Sequence, residues 1–153
     1  MDQAVQVFMD YAAAFEATYV DDDWSRLEAF FSENAVYEVR GGPLACVIEG
    51  REAILKGLKK SLDGLDRRCD ERIIEVTDGP HSQAVSGGQE VSIDWLVSYT
   101  RGESPRVGLV GRSVVTIANG HIAAMRDEYA DDALEEVGAW MQQYGADLDG
   151  SYV

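Results

Sequence analysis

A β-hairpin near residue 120 decides the fold of this chain, and its sequence is Ala118-Asn-Gly-His-Ile-Ala-Ala-Met-Arg-Asp-Glu-Tyr129. The Asn-Gly pair at 119–120 is a strong hairpin signal, because both residues tolerate a positive φ angle. The strand that follows alternates, so that Asp127 and Tyr129 share one face. If that face points inward, burial raises the pKa of the Asp127 carboxyl unless a cation holds its charge. Such a group is a candidate general acid or base, and a rim carboxylate paired with an arginine is the alternative.

The composition is that of an ordinary globular domain, with 153 residues, 46% hydrophobic and 27% charged. The net charge of −15 argues against binding to nucleic acid or to anionic membranes, which need a basic face. No signal peptide or membrane-spanning run is evident, so we expect a cytoplasmic protein. Cys46 and Cys69 have no metal-ligand spacing, and neither His81 nor His121 has a spaced partner, so we expect no metal and no cofactor.

The order of predicted elements indicates an α+β fold. Apolar residues recur at helical spacing in the first segment, in a short second segment and again over residues 51–62. Period-two strands then follow one another, with a closing helix near residue 140. We therefore expect a strongly curved antiparallel sheet packed by N-terminal helices. This single cone-shaped domain would cover residues 1–144, followed by a tail, residues 145–153, that is expected to fray.

The longest predicted strand covers residues 89–100 and has two distinct faces. One face is apolar and consists of Val91, Ile93, Trp95, Val97 and Tyr99. The other face is mixed and consists of Ser92, Asp94, Leu96 and Ser98. The pattern alone would bury the Trp95 face. Both faces could also be covered, one by helices and the other by a second subunit. From the latter interpretation we predict a homodimer formed through the apolar sheet face.

Several stretches, in their order along the chain, resemble the SnoaL-like branch of the nuclear transport factor 2-like superfamily. They are Asp23–Phe31, Asn34–Tyr37, Ile48–Ile54 and Asn119–Tyr129. The resemblance covers about Asp10 to Val137. It implies a cone with a deep pocket, commonly dimeric through its sheet. The superfamily includes polyketide cyclases, ketosteroid isomerases and limonene-epoxide hydrolases, so the fold leaves the chemistry open.

Among these enzymes, the limonene-epoxide hydrolases resemble this chain through the run Arg126–Asp131. The resemblance places Asp127 on one catalytic carboxylate and Asp94 on the second. It also places Tyr37 on a tyrosine that helps hold the water. The chain departs from that pattern at Ser92, where the hydrolases have an arginine, and at Val39, where they have an asparagine.

The candidate catalytic residues are therefore Asp127 and Asp94, without a metal or cofactor. The candidate ligand-binding residues around them are Trp24, Tyr37, Leu96, Leu109, Arg112, Met125 and Tyr129. Arg112 lies opposite Asp127 if the hairpin turn has two residues, whereas Gly111 does so if the turn is bulged.

Three hypotheses follow from these residues. The chain could be an enzyme performing acid–base chemistry on a small apolar molecule, acting as a hydrolase, isomerase or cyclase. It could also be a non-catalytic binder of such a molecule, or a dimeric interaction module that uses the Trp95 face.

Overall fold

A computed structural model describes residues 2–153 of the chain. Within these residues, four α-helices and six β-strands follow one another in the order α1, α2, β1, β2, α3, β3, β4, β5, β6, α4. The helices are α1 (Gln3–Asp21), α2 (Ser25–Glu28), α3 (Arg51–Gly64) and α4 (Asp131–Tyr144). The strands are β1 (Phe31–Arg40), β2 (Cys46–Glu49), β3 (Glu71–Val85), β4 (Gly88–Thr100), β5 (Val107–Ala118) and β6 (His121–Tyr129). No helix within residues 2–153 is both long and apolar enough to cross a membrane.

The six strands form one sheet in the order β2-β1-β6-β5-β4-β3, packed by helices, which confirms the α+β prediction. The sheet is mixed rather than wholly antiparallel, because β1 and β6 run parallel. The short strand β2 at the sheet edge was not predicted. The strand β3 continues to Val85, with register shifts on either side of Asp78.

The alternation of β4 places its apolar face inside the domain. The odd-numbered residues from Val91 to Tyr99 are all less than 9% exposed, and they belong to the core together with Phe8 and Tyr11 of α1. Pattern reasoning alone therefore assigned this face correctly. The face cannot be the dimer surface that we expected, because it packs within the same chain.

A bulge in the β5–β6 hairpin sets which residues lie opposite Asp127. Asn119 and Gly120 both have positive φ, at 53° and 76°, as a two-residue turn requires. The pairing then shifts between Thr116 and Ile117, where β6 accommodates one extra residue. Neither predicted register is correct, because Ser113 lies opposite Asp127, and Arg112 lies opposite Glu128.

Residues 145–153, called here the closing segment, pack against the domain instead of fraying. Leu148 and Tyr152 are 6% and 9% exposed, respectively. The backbone N–H of Asp149 donates to the carbonyl of Gly64 (3.0 Å), and the Ser61 hydroxyl donates to the carbonyl of Gly150 (2.7 Å). The closing segment is therefore an integral part of the fold and contributes a wall of the cavity described next.

Candidate functional site

A cavity of about 170 Å³ lies between the inner face of the sheet, α1, α3 and the closing segment. Most of its wall is apolar or aromatic. Its aromatic residues are Phe8, Tyr11, Phe15, Trp95, Tyr99, Tyr129 and Tyr152. Its charged residues are Glu16, Asp66, Arg72 and Asp127. A small apolar molecule would fit such a space, since a cavity of about 150 Å³ can accept benzene.

Asp127 is held at the cavity wall by two hydroxyl groups. The Tyr37 hydroxyl donates to Oδ2 (2.5 Å), and the Ser113 hydroxyl donates to Oδ1 (2.6 Å). Tyr37 reaches Asp127 because β1 and β6 are neighbours in the sheet, with Val39 opposite Asp127. Ser113 reaches it from the antiparallel strand on the other side. The carboxylate is thus positioned by three adjacent strands of the sheet centre.

The indole of Trp95 fixes the direction of the Ser113 hydrogen bond. Trp95 Nε1 donates to Ser113 Oγ (3.0 Å), and an indole N–H can only donate. The Ser113 oxygen therefore accepts from Trp95 while its own hydrogen is directed at Asp127. Both oxygens of Asp127 accept hydrogen bonds in this arrangement, which suits an ionised carboxylate.

Burial raises the pKa of the Asp127 carboxyl above its ordinary value, and the hydrogen bonds from Ser113 and Tyr37 oppose that shift. Among residues 2–153, no lysine, arginine or histidine forms an ion pair with Asp127. Burial also raises the pKa of the Tyr37 phenol well above its usual range, so Tyr37 stays a donor at neutral pH. The carboxylate is a stronger base than a solvated one because water is kept away from it.

The second predicted carboxylate, Asp94, does not share this cavity. Asp94 is an even-numbered residue of β4 and lies on the outer face of the sheet, where Arg112 Nε donates to its Oδ1 at 2.7 Å. That side chain of Arg112 is 53% exposed, and its hydrogen bond lowers the pKa of the Asp94 carboxyl. The two acids that the resemblance paired are therefore on opposite sides of the sheet, and Arg112 belongs with Asp94.

The remaining predicted ligand-binding residues divide between the cavity and its surroundings. Leu109, Met125 and Tyr129 line the cavity, whereas Tyr37 is not among the lining residues and contacts Asp127 instead. Leu96 does not, because it lies on the outer face opposite the half-exposed Val110. Trp24 also lies outside it, since its ring packs edge-on against Phe15, which is itself part of the wall.

A second charged group lies in the cavity wall and was not predicted. Arg72 Nε donates to Asp66 Oδ2 (2.8 Å), and its two terminal nitrogens donate to Glu16 (2.6 and 3.3 Å). The guanidinium also lies 4.7 Å from the centre of the Tyr19 ring. The Tyr99 hydroxyl donates to the same Asp66 oxygen (3.0 Å). Asp66, unlike Asp127, is therefore neutralised by a cation.

Tyrosines complete the polar groups of the cavity. The hydroxyls of Tyr129 and Tyr152 share a hydrogen bond of 2.7 Å, and the ring of Tyr152 meets that of Tyr37 edge-on with centroids 5.6 Å apart. Tyr11 is 6% exposed and lines the cavity, and none of the side-chain hydrogen bonds within residues 2–153 involves its hydroxyl. This phenol is a donor that a bound molecule could use.

Ser113, Trp95 and Tyr152 are parts of the site that were not predicted from the sequence. Trp95 could have been identified from the alternation of β4, which already indicated that its face is buried. Tyr152 and Leu148 are isolated apolar residues in a polar segment, a weak sign of docking. Ser113 gave no signal, because its position opposite Asp127 depends on the bulge.

Within residues 2–153, no group of three or more histidine, cysteine, aspartate or glutamate side chains is arranged to hold a metal ion. The cavity wall offers two carboxylates paired with Arg72, one carboxylate, Asp127, held by hydroxyl groups, and several neutral phenols.

Comparison with known proteins agrees with the fold. The family model of the SnoaL-like domain matches residues 11–125, whereas no curated protein matches the chain. The solved structure of Bal32a, from a soil-derived mobile gene cassette, is 20% identical and covers 89% of this chain and 98% of its own, with a TM-score of 0.63. An NTF2-like protein from Anabaena variabilis is 10% identical and covers 86% and 92%, respectively, with a TM-score of 0.60.

An LEH-like epoxide hydrolase from M. tuberculosis is also similar in fold, with 16% identity, coverage of 91% of this chain and 92% of its own, and a TM-score of 0.57. At these identities the solved structures show the fold alone. The family match spans most of the chain, so the chain belongs to the SnoaL-like domain family, as its sequence resemblance predicted.

Proposed function

We propose that this member of the SnoaL-like domain family binds a small, largely apolar molecule in its cavity, and that Asp127 transfers a proton to or from it. The observation that carries the proposal is the setting of Asp127. Its carboxylate reaches the cavity, its hydrogen bonds come from the hydroxyls of Tyr37 and Ser113, and burial raises its pKa. A carboxylate with these properties is suited to general acid–base work near neutral pH.

The chain's own residues suffice for such a proton transfer. Ionised Asp127 would take a proton from a carbon acid or from a water molecule in the cavity, and protonated Asp127 would return it. Tyr37 and Ser113 hold the carboxylate in one orientation through both transfers. The Tyr11 phenol lines the same cavity and would donate to an oxygen on which negative charge develops.

Non-catalytic binding in the same cavity is the second candidate function. That function would be favoured by an Asp127 tied to an arginine, because a neutralised carboxylate is chemically idle. Asp66 has such a partner in Arg72, whereas the hydrogen bonds to Asp127 come from hydroxyls. This difference favours proton transfer over simple binding. The interaction-module hypothesis loses its basis, since the Trp95 face lies inside the domain.

Two reactions that need a general base would test the proposal. Small cyclic ketones in D₂O report proton abstraction as exchange of the α-hydrogens, followed by NMR, and small cyclic epoxides report water activation as diol formation. We expect the wild-type chain to accelerate one of them. Asp127→Asn keeps the size of the side chain and should lower that rate by about 10²-fold or more with little change in binding.

Asp94→Asn is the matched control, because it removes an acid from β4 of the same sheet, on the outer face. We expect this variant to keep the wild-type rate. The proposal is wrong if probe molecules occupy the cavity and the wild-type chain accelerates neither reaction. A rate that survives Asp127→Asn would also refute it.

We further propose that the chain forms a homodimer through the outer face of the sheet. Val110 and Ile73 are 51% and 42% exposed there, and Leu96 lies beside them. Adjacent exposed apolar side chains of this kind favour a protein interface. Sedimentation equilibrium should give twice the chain mass of 16.8 kDa, and Val110→Glu should return it to the monomer mass. The predicted cytoplasmic location remains a prediction.

A further inference from the structure

The charges on the cavity wall are unbalanced towards the negative. Glu16, Asp66 and Asp127 supply three carboxylates, and Arg72 is the one cationic side chain among the described residues that line the cavity. Arg72 is fully engaged, because it donates to both Glu16 and Asp66. The remaining carboxylate, Asp127, receives its hydrogen bonds from neutral groups. An anionic ligand would therefore meet an excess of negative charge.

Aromatic rings form much of the wall of the cavity that Asp127 reaches. Trp95 and Tyr129 meet edge-to-face with centroids 5.7 Å apart, and Tyr11, Phe15 and Tyr152 line the same cavity. The face of an aromatic ring carries partial negative charge and attracts cations, most strongly where water is excluded. The same set of groups, several aromatic rings and one carboxylate, provides the chemistry by which proteins bind ammonium ions.

The hydrogen-bond network keeps Asp127 ready for a cation. Trp95 directs the Ser113 hydroxyl towards one carboxylate oxygen, and Tyr37 donates to the other. These donors favour the ionised carboxylate, whereas burial opposes it. A positively charged group in the cavity would supply the missing attraction. The net charge of −15 on the whole chain adds a field that draws cations towards the protein.

We infer that the cavity selects a small compound whose apolar framework carries one positively charged nitrogen, such as a protonated amine, held beside Asp127. The inference rests on the proposed function, because it names the ligand class of the same site. The cavity of about 170 Å³ limits the framework to about the size of one six-membered ring. Asp127 would then hold the ammonium group and exchange a proton with it.

Two probes of one shape test the inference: cyclohexylamine, which is protonated at pH 7, and cyclohexanol, which is neutral. Binding of each to the full chain is measured by calorimetry and by NMR titration. We expect the amine to bind about tenfold more tightly or better, the ratio that one buried carboxylate with aromatic neighbours should give. In Asp127→Asn the two probes should bind equally well, with cyclohexanol unaffected.

Asp94→Asn should keep the full preference for the amine, because its carboxylate lies on the outer face of the sheet. Should Asp127→Asn fail to fold, Ser113→Ala is the second variant, and it should lower the amine affinity without lowering that of cyclohexanol. The inference is overturned if wild-type chain binds cyclohexanol as tightly as the amine. It is also overturned if neither probe binds, or if the preference survives Asp127→Asn.

These outcomes separate the inference from the proposed function. Without amine preference, but with ketone exchange or epoxide opening that depends on Asp127, the inference falls and the proposed function stands. Amine preference without either reaction leaves the ligand class standing and makes the chain a binder.

Discussion

Two of the three carboxylates that line the cavity, Asp66 and Asp127, differ in which groups hold them. Asp66 accepts hydrogen bonds from the Arg72 guanidinium and the Tyr99 hydroxyl, both at one oxygen. Asp127 accepts one hydroxyl at each oxygen, from Tyr37 and Ser113. Burial raises the pKa of both carboxyls, and in Asp66 the guanidinium opposes that shift. The comparison indicates that Asp66 serves the fold, whereas Asp127 is free to meet a charge brought by a ligand.

The largest effect should come from removing the cation that pairs with Asp66. In Arg72→Met, Asp66 and Glu16 lose their partner, and the Arg72 side chain is only 6% exposed. Breaking a buried ion pair on one side typically costs about 3–5 kcal/mol of the free energy of unfolding. Urea denaturation of the variant should show that loss.

Arg112→Met provides the matched control, since Arg112 pairs with Asp94 in solvent. We expect only a small fraction of the Arg72→Met loss in this variant. Equal losses of unfolding free energy in the two variants would contradict a structural role specific to the Arg72–Asp66 pair.

The surroundings of Asp127 and Asp66 are predictable from the sequence only where they depend on residues close together in the chain. The alternation of β4 predicts that the Trp95 face is buried, and the hairpin alternation places Asp127 on one face with Met125 and Tyr129. Both features need only local periodicity. The ion pair of Arg72 with Asp66 and Glu16 joins α1, the loop after α3 and β3, and no local pattern marks it.

The pairing of Asp127 with Ser113 was missed for a different reason. One extra residue in β6 shifts the register, and a shift of one residue replaces Arg112 by Ser113 opposite the carboxylate. Asp94 and Trp95 are adjacent in β4, so only one of them can face inward. The resemblance implies Asp94 and the strand pattern favours Trp95, and the structure buries Trp95.

The closing segment should keep water away from Asp127 more than from Asp66. The ring of Tyr152 packs against Tyr37, which donates to Asp127, and the Tyr152 hydroxyl shares a hydrogen bond with that of Tyr129. Tyr152→Ala should lower the free energy of unfolding by about 2 kcal/mol, the contribution of one buried side chain. The loss stays near this value because the closing segment can detach locally while the rest of the domain stays folded. Water reaching Asp127 should lower its raised pKa towards the ordinary value, while the Asp66 pair stays intact.

Carboxyl carbon NMR titration of the wild type and of Tyr152→Ala measures both groups in one experiment. Val153→Ala is the control, because that side chain is 70% exposed and leaves Tyr152 in place. An unchanged Asp127 titration in Tyr152→Ala would mean that the closing segment does not shield the carboxylate.

Removing one hydroxyl donor from each carboxylate should change the pKa of Asp127 more than that of Asp66. Tyr37→Phe deprives Oδ2 of Asp127 of its donor, whereas in Tyr99→Phe the Arg72 guanidinium still donates to the Asp66 oxygen. Each change should cost about 1 kcal/mol. The pKa of Asp127 should rise further in Tyr37→Phe, and that of Asp66 should change less in Tyr99→Phe. Equal shifts in the two titrations would show that the guanidinium does not dominate at Asp66.

The smallest effect, and the one that depends on pH, should distinguish Asp127 from the outer carboxylate Asp94. The pKa of Asp127 is raised in the folded chain, so between its unfolded and folded values the native state binds more protons. Its contribution to the free energy of unfolding therefore falls as pH rises through that window. Asp127→Asn removes this fall and should change stability at pH 7 by about 1 kcal/mol or less, with the variant gaining on the wild type as pH rises.

Asp94 should behave in the opposite sense, because the Arg112 hydrogen bond lowers its pKa. Its stabilising contribution is present above the unfolded pKa and is lost as pH falls through the lowered folded pKa. Relative to the wild type, Asp94→Asn should therefore lose ground as pH rises from 3 to 7, a window that spans the ordinary carboxyl pKa of about 3.9. Thermal unfolding of the wild type and both variants across this range compares the two slopes directly. Slopes of the same sign would mean that Asp127 is held by a charge after all, and the cavity would lose the carboxylate on which its chemistry depends.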